Sequence, residues 1–320
     1  MGFSMTPERP PEPASGIDVR AVRRHFARAS ATYDAAAVLQ REVGARMAER
    51  LDIVRLEPRR ILDAGCGTGE ALGELAARYP GAGRVALDLA LPMLARAREK
   101  SSERRSLVSR LLGPVSGRRP VRPAQFACGD IAALPFAARA FELIWSNLAL
   151  QWVPDLTRAF AEFHRVLETD GLLMFTTFGP DTLKELRTVF AEIDGRPHVS
   201  RFVDQHDIGD LLVAAGYADA VMQMECFTLT YADPAAMLRD LKAIGATNSA
   251  LGRSRGLMGR ERWTRLLAGL ERFRDASPER RIPATFEVVY GHAWKAVPTR
   301  TADGRAIVSF AQPSRGPQRR

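Results

Sequence analysis

Asp63-Ala64-Gly65-Cys66-Gly67-Thr68-Gly69 places an acid two residues ahead of three glycines at alternate positions. The apolar pair Ile61-Leu62 leads into this run, and a helical pattern begins at Ala71. Glycines at such positions remove Cβ atoms where a chain must turn sharply and let a ligand approach its backbone. The helix that follows offers free N–H groups and a positive dipole end to a polar ligand. A G-x-G-x-G run with a leading acid differs from the G-x-G-x-x-G of dinucleotide sites. Three more polar groups recur in phase with this one. Asp88, 19 residues beyond Gly69, ends the strand-like run Arg84–Asp88. An acid there can accept hydrogen bonds from both hydroxyls of a ribose, or cap the helix that follows. Asp130 lies near the end of Gln125–Ile131, and Asn147 closes Phe141–Asn147. In a parallel sheet these four strand ends face one crevice, so Asp63, Asp88, Asp130 and Asn147 form a polar rim suited to a nucleotide-like ligand.

Strands and helices alternate around this rim. Residues 1–16 are proline-rich and polar, as in a disordered tail. From Ile17 to Leu51, Val22, Phe26, Tyr33, Val38, Leu39, Val43, Met47 and Leu51 recur at helical spacings and predict two helices broken near Ser30–Asp34. A helix over Leu91–Lys100 precedes a Ser-, Gly- and Pro-bearing stretch, 101–122, which predicts a surface loop. Pro154–Leu167 predicts a helix with Asp155 near its start, and Gly171–Phe178 predicts a fifth strand. Thr182-x-x-Glu185 is a candidate capping box for the next helix, and Asp207–Ala215 predicts another helix ended by Gly216. Val221–Thr230 and Phe286–Lys295 complete the strands. Between them, helical patterns at Ala235–Ile244 and Glu261–Arg274 suggest an insertion over 233–280. One domain over 17–297, followed by a flexible tail at 298–320, accounts for the chain.

With 46% hydrophobic and 26% charged residues, the 320-residue chain has the composition of a folded globular protein. No apolar stretch reaches the roughly 18 residues that would span a bilayer, and no export signal opens the sequence, so a cytoplasmic location is expected. Cys66, Cys128 and Cys226 lack metal-ligand spacing and predict neither disulfide nor metal site. His25, His164, His198, His206 and His292 form no pattern. The formal charge of +9 is concentrated: Lys100, Arg104, Arg105, Arg110, Arg118, Arg119 and Arg122 face a single acid, Glu103. A solvated basic loop is the plainest reading, and a docking patch for an acidic protein the sharper one. Aromatic residues do not interleave with these arginines, so no nucleic-acid partner is expected.

Asp63–Gly69 resembles motif I of the class I S-adenosyl-L-methionine-dependent methyltransferases. The resemblance implies an α/β fold: a seven-stranded Rossmann-like sheet with an N-terminal helical lid and a late helical insertion. It implies S-adenosyl-L-methionine as cofactor, held by Asp63, Gly65, Cys66, Gly67, Gly69, Asp88, Leu89, Met93, Asp130, Ile131 and Asn147. By that resemblance Asp63 meets the methionine amino end, Asp130 receives the adenine amino group, and Ile131 lies against the ring. Met93 covers adenine or serves as ordinary helix packing, and Tyr33 packs on the methionine end or in the core.

Three further stretches resemble the malonyl-[acyl-carrier protein] O-methyltransferase family of biotin synthesis, over a span from about Val19 to Lys295. They are Val22–Phe26 through Tyr33-Asp34 and Leu39-Gln40-Arg41, then Ser146–Trp152, and then Leu241–Asn248, the most specific of the three. The 101–122 stretch is longer than that family's pattern, and the chain past Lys295 is unmatched. The resemblance implies methyl transfer to a malonyl carboxylate, which is ionised at pH 7 and needs no general base. It also implies an acyl carrier protein as partner, acidic as a class, which would give the basic surface a use. No catalytic residue is assigned. Tyr33, Trp152, Arg187 and Lys242 are candidates to hold or wall the acceptor; Trp152 fits a core position equally, and Arg187 and Lys242 fit exposed helix charges. Gly179–Arg187 resembles a mitochondrial complex I assembly factor linked to arginine hydroxylation as well, and a small-molecule or quinone methyltransferase is the generic alternative.

Overall fold

Ile61–Ala64, Val85–Leu87 and Leu143–Trp145 are apolar at nearly every position, as suits strands covered on both faces. The computed structural model describes residues 16–112, 122–194, 196–253, 256, 258–276 and 278–297. The expected tails, apart from Gly16, and residues 113–121 of the basic stretch lie outside the described residues. In chain order the helices and strands are α1 (Val19–Ala29), α2 (Tyr33–Ala36), α3 (Val38–Glu49), β1 (Arg60–Ala64), α4 (Ala71–Arg78), β2 (Gly83–Asp88), α5 (Leu91–Leu112), β3 (Gln125–Cys128) and β4 (Phe141–Ser146). There follow α6 (Leu156–Val166), β5 (Leu167–Phe178), α7 (Lys184–Ile193), α8 (Gln205–Ala214), β6 (Tyr217–Tyr231), α9 (Pro234–Ala243), α10 (Arg260–Glu271) and β7 (Ile282–Lys295).

The strands form one seven-stranded sheet in the order β3-β2-β1-β4-β5-β7-β6. The first five run parallel, and β7 is antiparallel to both β5 and β6. This is the seven-stranded class I methyltransferase arrangement that the motif implied. Alternation along each strand sends side chains to two cores. Ile61, Leu143, Leu172 and Val288 pack with Val43 and Met47 of α3 and Val189 of α7 on one face. Leu62, Ile144, Leu173 and Val289 pack with Phe160 and Phe163 of α6 and Leu212 of α8 on the other. Each such fully buried side chain contributes about 2 kcal/mol relative to exposure.

Local chemistry starts several helices as the sequence suggests. The carboxylates of Asp18, Asp155 and Asp233 accept the N–H groups of Ala21, Arg158 and Ala236 at the starts of α1, α6 and α9. The break after α1 holds an extra one-turn helix, α2. Two expectations are corrected. The stretch after Lys100 does not begin a loop, because α5 continues to Leu112; the serines there obscure Leu107, Val108, Leu111 and Leu112, which recur at helical spacing. The capping box at Thr182 and Glu185 does not form. The residue before α7 is Leu183, in the left-handed region at φ 53°. The Thr182 hydroxyl donates to the Glu287 carbonyl (3.0 Å), and the Glu185 carboxylate accepts both the N–H and the hydroxyl of Thr285. Partners on β7 displace the local cap.

Gly291 of β7 stands opposite Phe175 of β5, and a Cβ there would lie 2.2 Å from the Phe175 ring. Gly291→Ala should therefore destabilise the fold by about 1–3 kcal/mol through overpacking. The midpoint of thermal unfolding would fall by several degrees, measurable by scanning fluorimetry, and an unchanged midpoint would show that the ring moves aside freely.

Candidate functional site

The glycine loop is tied to β2 by its backbone. The N–H groups of Gly65 and Cys66 donate to the Leu87 carbonyl at 2.8 and 2.9 Å, and that of Gly67 donates to Asp88 Oδ2 at 2.9 Å. Gly65, Gly67 and Gly69 all take positive φ, at 79°, 53° and 77°. Gly65 also meets a close approach, since a Cβ there would lie 2.3 Å from that of Ala149. The turn opens onto a cleft at the carboxyl ends of β1, β2 and β4, as the parallel order requires.

Two compartments make up this cleft. In the first, Leu89 and Ile131 supply apolar wall and Asp88 and Asp130 the polar edge, under Val19, Val22 and Phe26 of α1. Asp88 Oδ1 accepts the N–H of Ala90 (2.8 Å) and Oδ2 that of Gly67, and the Leu89 N–H also bonds this carboxylate. Burial raises the Asp88 pKa. Asp130 Oδ1 accepts the Ala132 N–H at 2.8 Å. The second compartment is bounded by Asp63, Cys66, Thr68, Trp145, Gln40 and Arg41. Three buried polar side-chain atoms of residues that bound it have no hydrogen-bond partner among the described residues: Asp63 Oδ2, Trp145 Nε1 and Gln40 Oε1. Buried polar atoms are ordinarily satisfied, and three orphans around one void mark a place for a polar ligand. Burial, then the charge of Asp88, pushes the Asp63 carboxyl up to about 8. The Cys66 thiol is likewise raised by burial and so is no nucleophile at neutral pH.

An ionic knot joins the helical lid to this floor. Thr68 donates its hydroxyl to Asp34 of α2 at 2.5 Å, and Lys100 of α5 reaches Asp34 at 3.2 Å and Glu70 at 2.9 Å. Arg41 holds the Asp34 carbonyl at 2.5 Å. Tyr33 borders both compartments, with its phenol pKa raised by burial.

A third cavity adjoins the cleft and shares with it Tyr33, Gln40, Phe26 and Trp152. Its wall is largely apolar, from Leu148, Phe178, Leu186, Leu241, Ile244 and Phe286, and among the described residues carries no lysine, arginine or carboxylate. Trp152 meets Phe26 edge-on at 5.3 Å between ring centres. At the far rim, His198 stacks on Phe190 (3.7 Å) with Nε2 against Asp194 (2.9 Å), beside Thr247 and Asn248.

Several sequence-predicted residues take other places. Met93 is fully buried beneath α1 against Ala29 and Ala90, which is the helix-packing alternative, and does not line the cleft. Asn147 borders the cleft, but its amide donates to the Gln40 carbonyl (2.9 Å) and accepts the Thr176 hydroxyl (2.7 Å), so it braces α3 against β5. Arg187 donates to the carbonyls of Pro180 (2.6 Å) and Thr182 (2.9 Å), away from the cavity wall. Lys242 is exposed and also off the wall. Conversely, Gln40, Trp145 and His198 were not expected. The stretch Leu39-Gln40-Arg41 stood out in sequence, yet nothing in it pointed to the Gln40 side chain. Trp145 reads as one more apolar strand residue until its register beside Asp63 is known.

Asp63 in the folded protein titrates far above its unfolded value near 3.9. Between those pH values folding takes up a proton, so this group lowers stability as pH rises from about 4 to about 8. Asp63→Asn should unfold at a similar denaturant midpoint to wild type near pH 4 and at a progressively higher one up to pH 8. A parallel pH dependence in the two proteins would contradict the raised carboxyl.

Residues 62–175 match the family described as methyltransferase domain. The chain is 52% identical to a malonyl-[acyl-carrier protein] O-methyltransferase of Gallionella capsiferriformans, covering 91% of this chain and 96% of the relative. It is also 52% identical to a protein of the same name from Laribacter hongkongensis, over 92% and 96% of the two chains. Among solved structures, the YcgJ protein of Bacillus subtilis superposes with a TM-score of 0.55 over 80% of this chain and 99% of its own, at 16% identity, a likeness of fold. Nearly full-length identity above one half, on a sheet of this order with this cleft, places the chain in the malonyl-[acyl-carrier protein] O-methyltransferase family, whose cofactor is S-adenosyl-L-methionine.

Proposed function

We propose that this protein transfers the methyl group of S-adenosyl-L-methionine to the free carboxylate of a malonyl thioester carried by acyl carrier protein, forming the methyl ester that starts pimeloyl assembly in biotin synthesis. The observation that carries this reading is the junction of the cleft with a neutral, mostly apolar cavity at Tyr33 and Gln40. When bound, the cofactor supplies an electrophilic sulfonium methyl group. In this reading Asp63 takes the methionine ammonium, the Trp145 indole N–H and Arg41 take its carboxylate, and Asp88 takes the ribose hydroxyls. Asp130, Ile131 and Leu89 face the adenine.

The malonyl carboxylate is ionised at neutral pH, so no residue has to remove a proton. A carboxylate oxygen would form the new bond to the methyl carbon with its lone pair, while the carbon–sulfur bonding pair would stay on sulfur and leave it a neutral thioether. The chain contributes orientation and exclusion of water from a charged nucleophile. Among the described residues the cavity wall carries no lysine or arginine, which is consistent with this chemistry. A cation paired with the carboxylate would hold its electrons in a charge-assisted hydrogen bond. With neutral donors alone, the carboxylate is drawn towards the sulfonium. Gln40 is the neutral group at the junction, and its amide would orient one carboxylate oxygen. The apolar walls would pack on the rest of the acyl chain, and a cytoplasmic location suits both substrates.

Labelled S-adenosyl-L-methionine should transfer its methyl group to malonyl-acyl carrier protein and not to acetyl- or succinyl-acyl carrier protein; no label on the malonyl species would refute the reading. Gln40→Leu removes a hydrogen bond to a charged group, worth about 1.5–3 kcal/mol. Its kcat/KM for the malonyl substrate should drop about 10- to 100-fold, as measured by steady-state kinetics.

A further inference from the structure

Helix α1 carries Arg20, Arg23, Arg24 and Arg28, all exposed, on the face opposite Val22 and Phe26, which it turns into the cleft. The helix contains no acid, and Asp18 at its start is already held by Arg253 at 2.7 Å. None of the four arginines has an ion-pair or hydrogen-bond partner among the described residues. Arginines on another surface do: Arg46 and Arg50 both reach Glu225. Like charges one turn apart on a helix repel, so this face costs stability in the free protein, and an anionic partner would relieve that cost.

We propose that the outer face of α1 docks the acidic carrier protein that delivers the acyl thioester, its surface carboxylates meeting these guanidinium groups. This rests on the methyl-transfer reading above. The position of the helix supports it. Phe26, on the inner face of α1, walls both the cofactor cleft and the acceptor cavity, so a carrier on the outer face sits one helix away from the place where its acyl group must arrive. The end of α1 is also fastened to the acceptor side. Thr32 donates its hydroxyl to the Ala243 carbonyl of α9 at 2.9 Å, and the turn at Gly245 packs on Phe26 and Ala29. The exposed Lys242 therefore extends the basic strip towards the acceptor rim at Thr247 and Asn248. Guanidinium groups pair with carboxylates in bidentate fashion, and charges at the rim of an interface act mainly on encounter.

Reversing the four charges together (Arg20→Glu, Arg23→Glu, Arg24→Glu, Arg28→Glu) should raise KM for malonyl-acyl carrier protein by about tenfold or more. KM for the uncharged-carrier substrate malonyl N-acetylcysteamine, and affinity for S-adenosyl-L-methionine, should stay as in wild type, which also reports that the variant is folded. Replacing the same four residues with lysine should retain most of the carrier dependence, and added salt should raise the wild-type KM for the carrier substrate alone. Fluorescence anisotropy with labelled holo-acyl carrier protein reads docking without turnover. Binding lost on charge reversal supports the docking face even where no thioester is methylated, an outcome that would refute the chemistry separately. Unchanged carrier binding and KM in the reversed protein would overturn the docking face. So would an equal loss on both thioesters, which would assign these charges to the lid itself.

Discussion

The Asp88 carboxylate holding the Gly67 N–H is the contact on which the site depends. Together with the bonds from Gly65 and Cys66 to the Leu87 carbonyl, it folds the loop after β1 back onto the end of β2. That return requires three residues at positive φ, a region that costs other L-residues roughly 1 kcal/mol or more each. The bend leaves Asp63 at the end of β1 with one oxygen buried and unpaired, at 3% residue exposure. A protein selected for stability alone would fill or pair such a position. Here the cost is borne by the rest of the sheet, and the unmet carboxyl is available to a cationic ligand.

Around this turn, polar contacts link elements that are far apart in sequence. Asn147 connects α3 to β5, and the Asp34–Thr68–Lys100 cluster connects α2 to the glycine loop and to α5. Most of these groups are partly exposed, so each pair is worth little alone. Their effect is positional: they set how the N-terminal helices close over the cleft. The lid is thus held by contacts with the same loop that lines the compartment beside Asp63, and closing the lid and shaping the floor are one arrangement.

The cavity proposed to take the acceptor is built on a different principle. Its wall comes from α7, α9, the ends of β5 and β7 and the turn after β4, and its polar groups are amides, hydroxyls and, at the rim, the His198 imidazole. The cationic side chains nearest in sequence are turned elsewhere, Arg187 onto the carbonyls of Pro180 and Thr182 and Lys242 to solvent. A lysine of the same chain shows how such charges are used structurally: Lys295 is buried and donates to the carbonyls of His164 and Leu167 at 2.7 Å each, closing the end of α6.

Strand-end acids, a glycine loop and runs of apolar residues are local patterns, and they were enough to determine the sheet, the cleft at its strand ends and the polar groups on that edge. Asp63, Asp88 and Asp130 were legible because a parallel sheet puts every strand end at one edge, whatever the rest of the chain does. The remainder depended on contacts between distant segments. Met93 lay at a spacing compatible with adenine, but its direction was decided by α1 packing above it. Thr182 and Glu185 had a capping pattern, but β7 offered them better partners. Trp145 was a strand residue like its neighbours until the β1–β4 register set it beside Asp63, and Gln40 became a junction residue only when α3 was laid against β4. Sequence spacing determines which residues share a face; what a side chain meets across that face is set by tertiary packing, because its partners come from elsewhere in the chain.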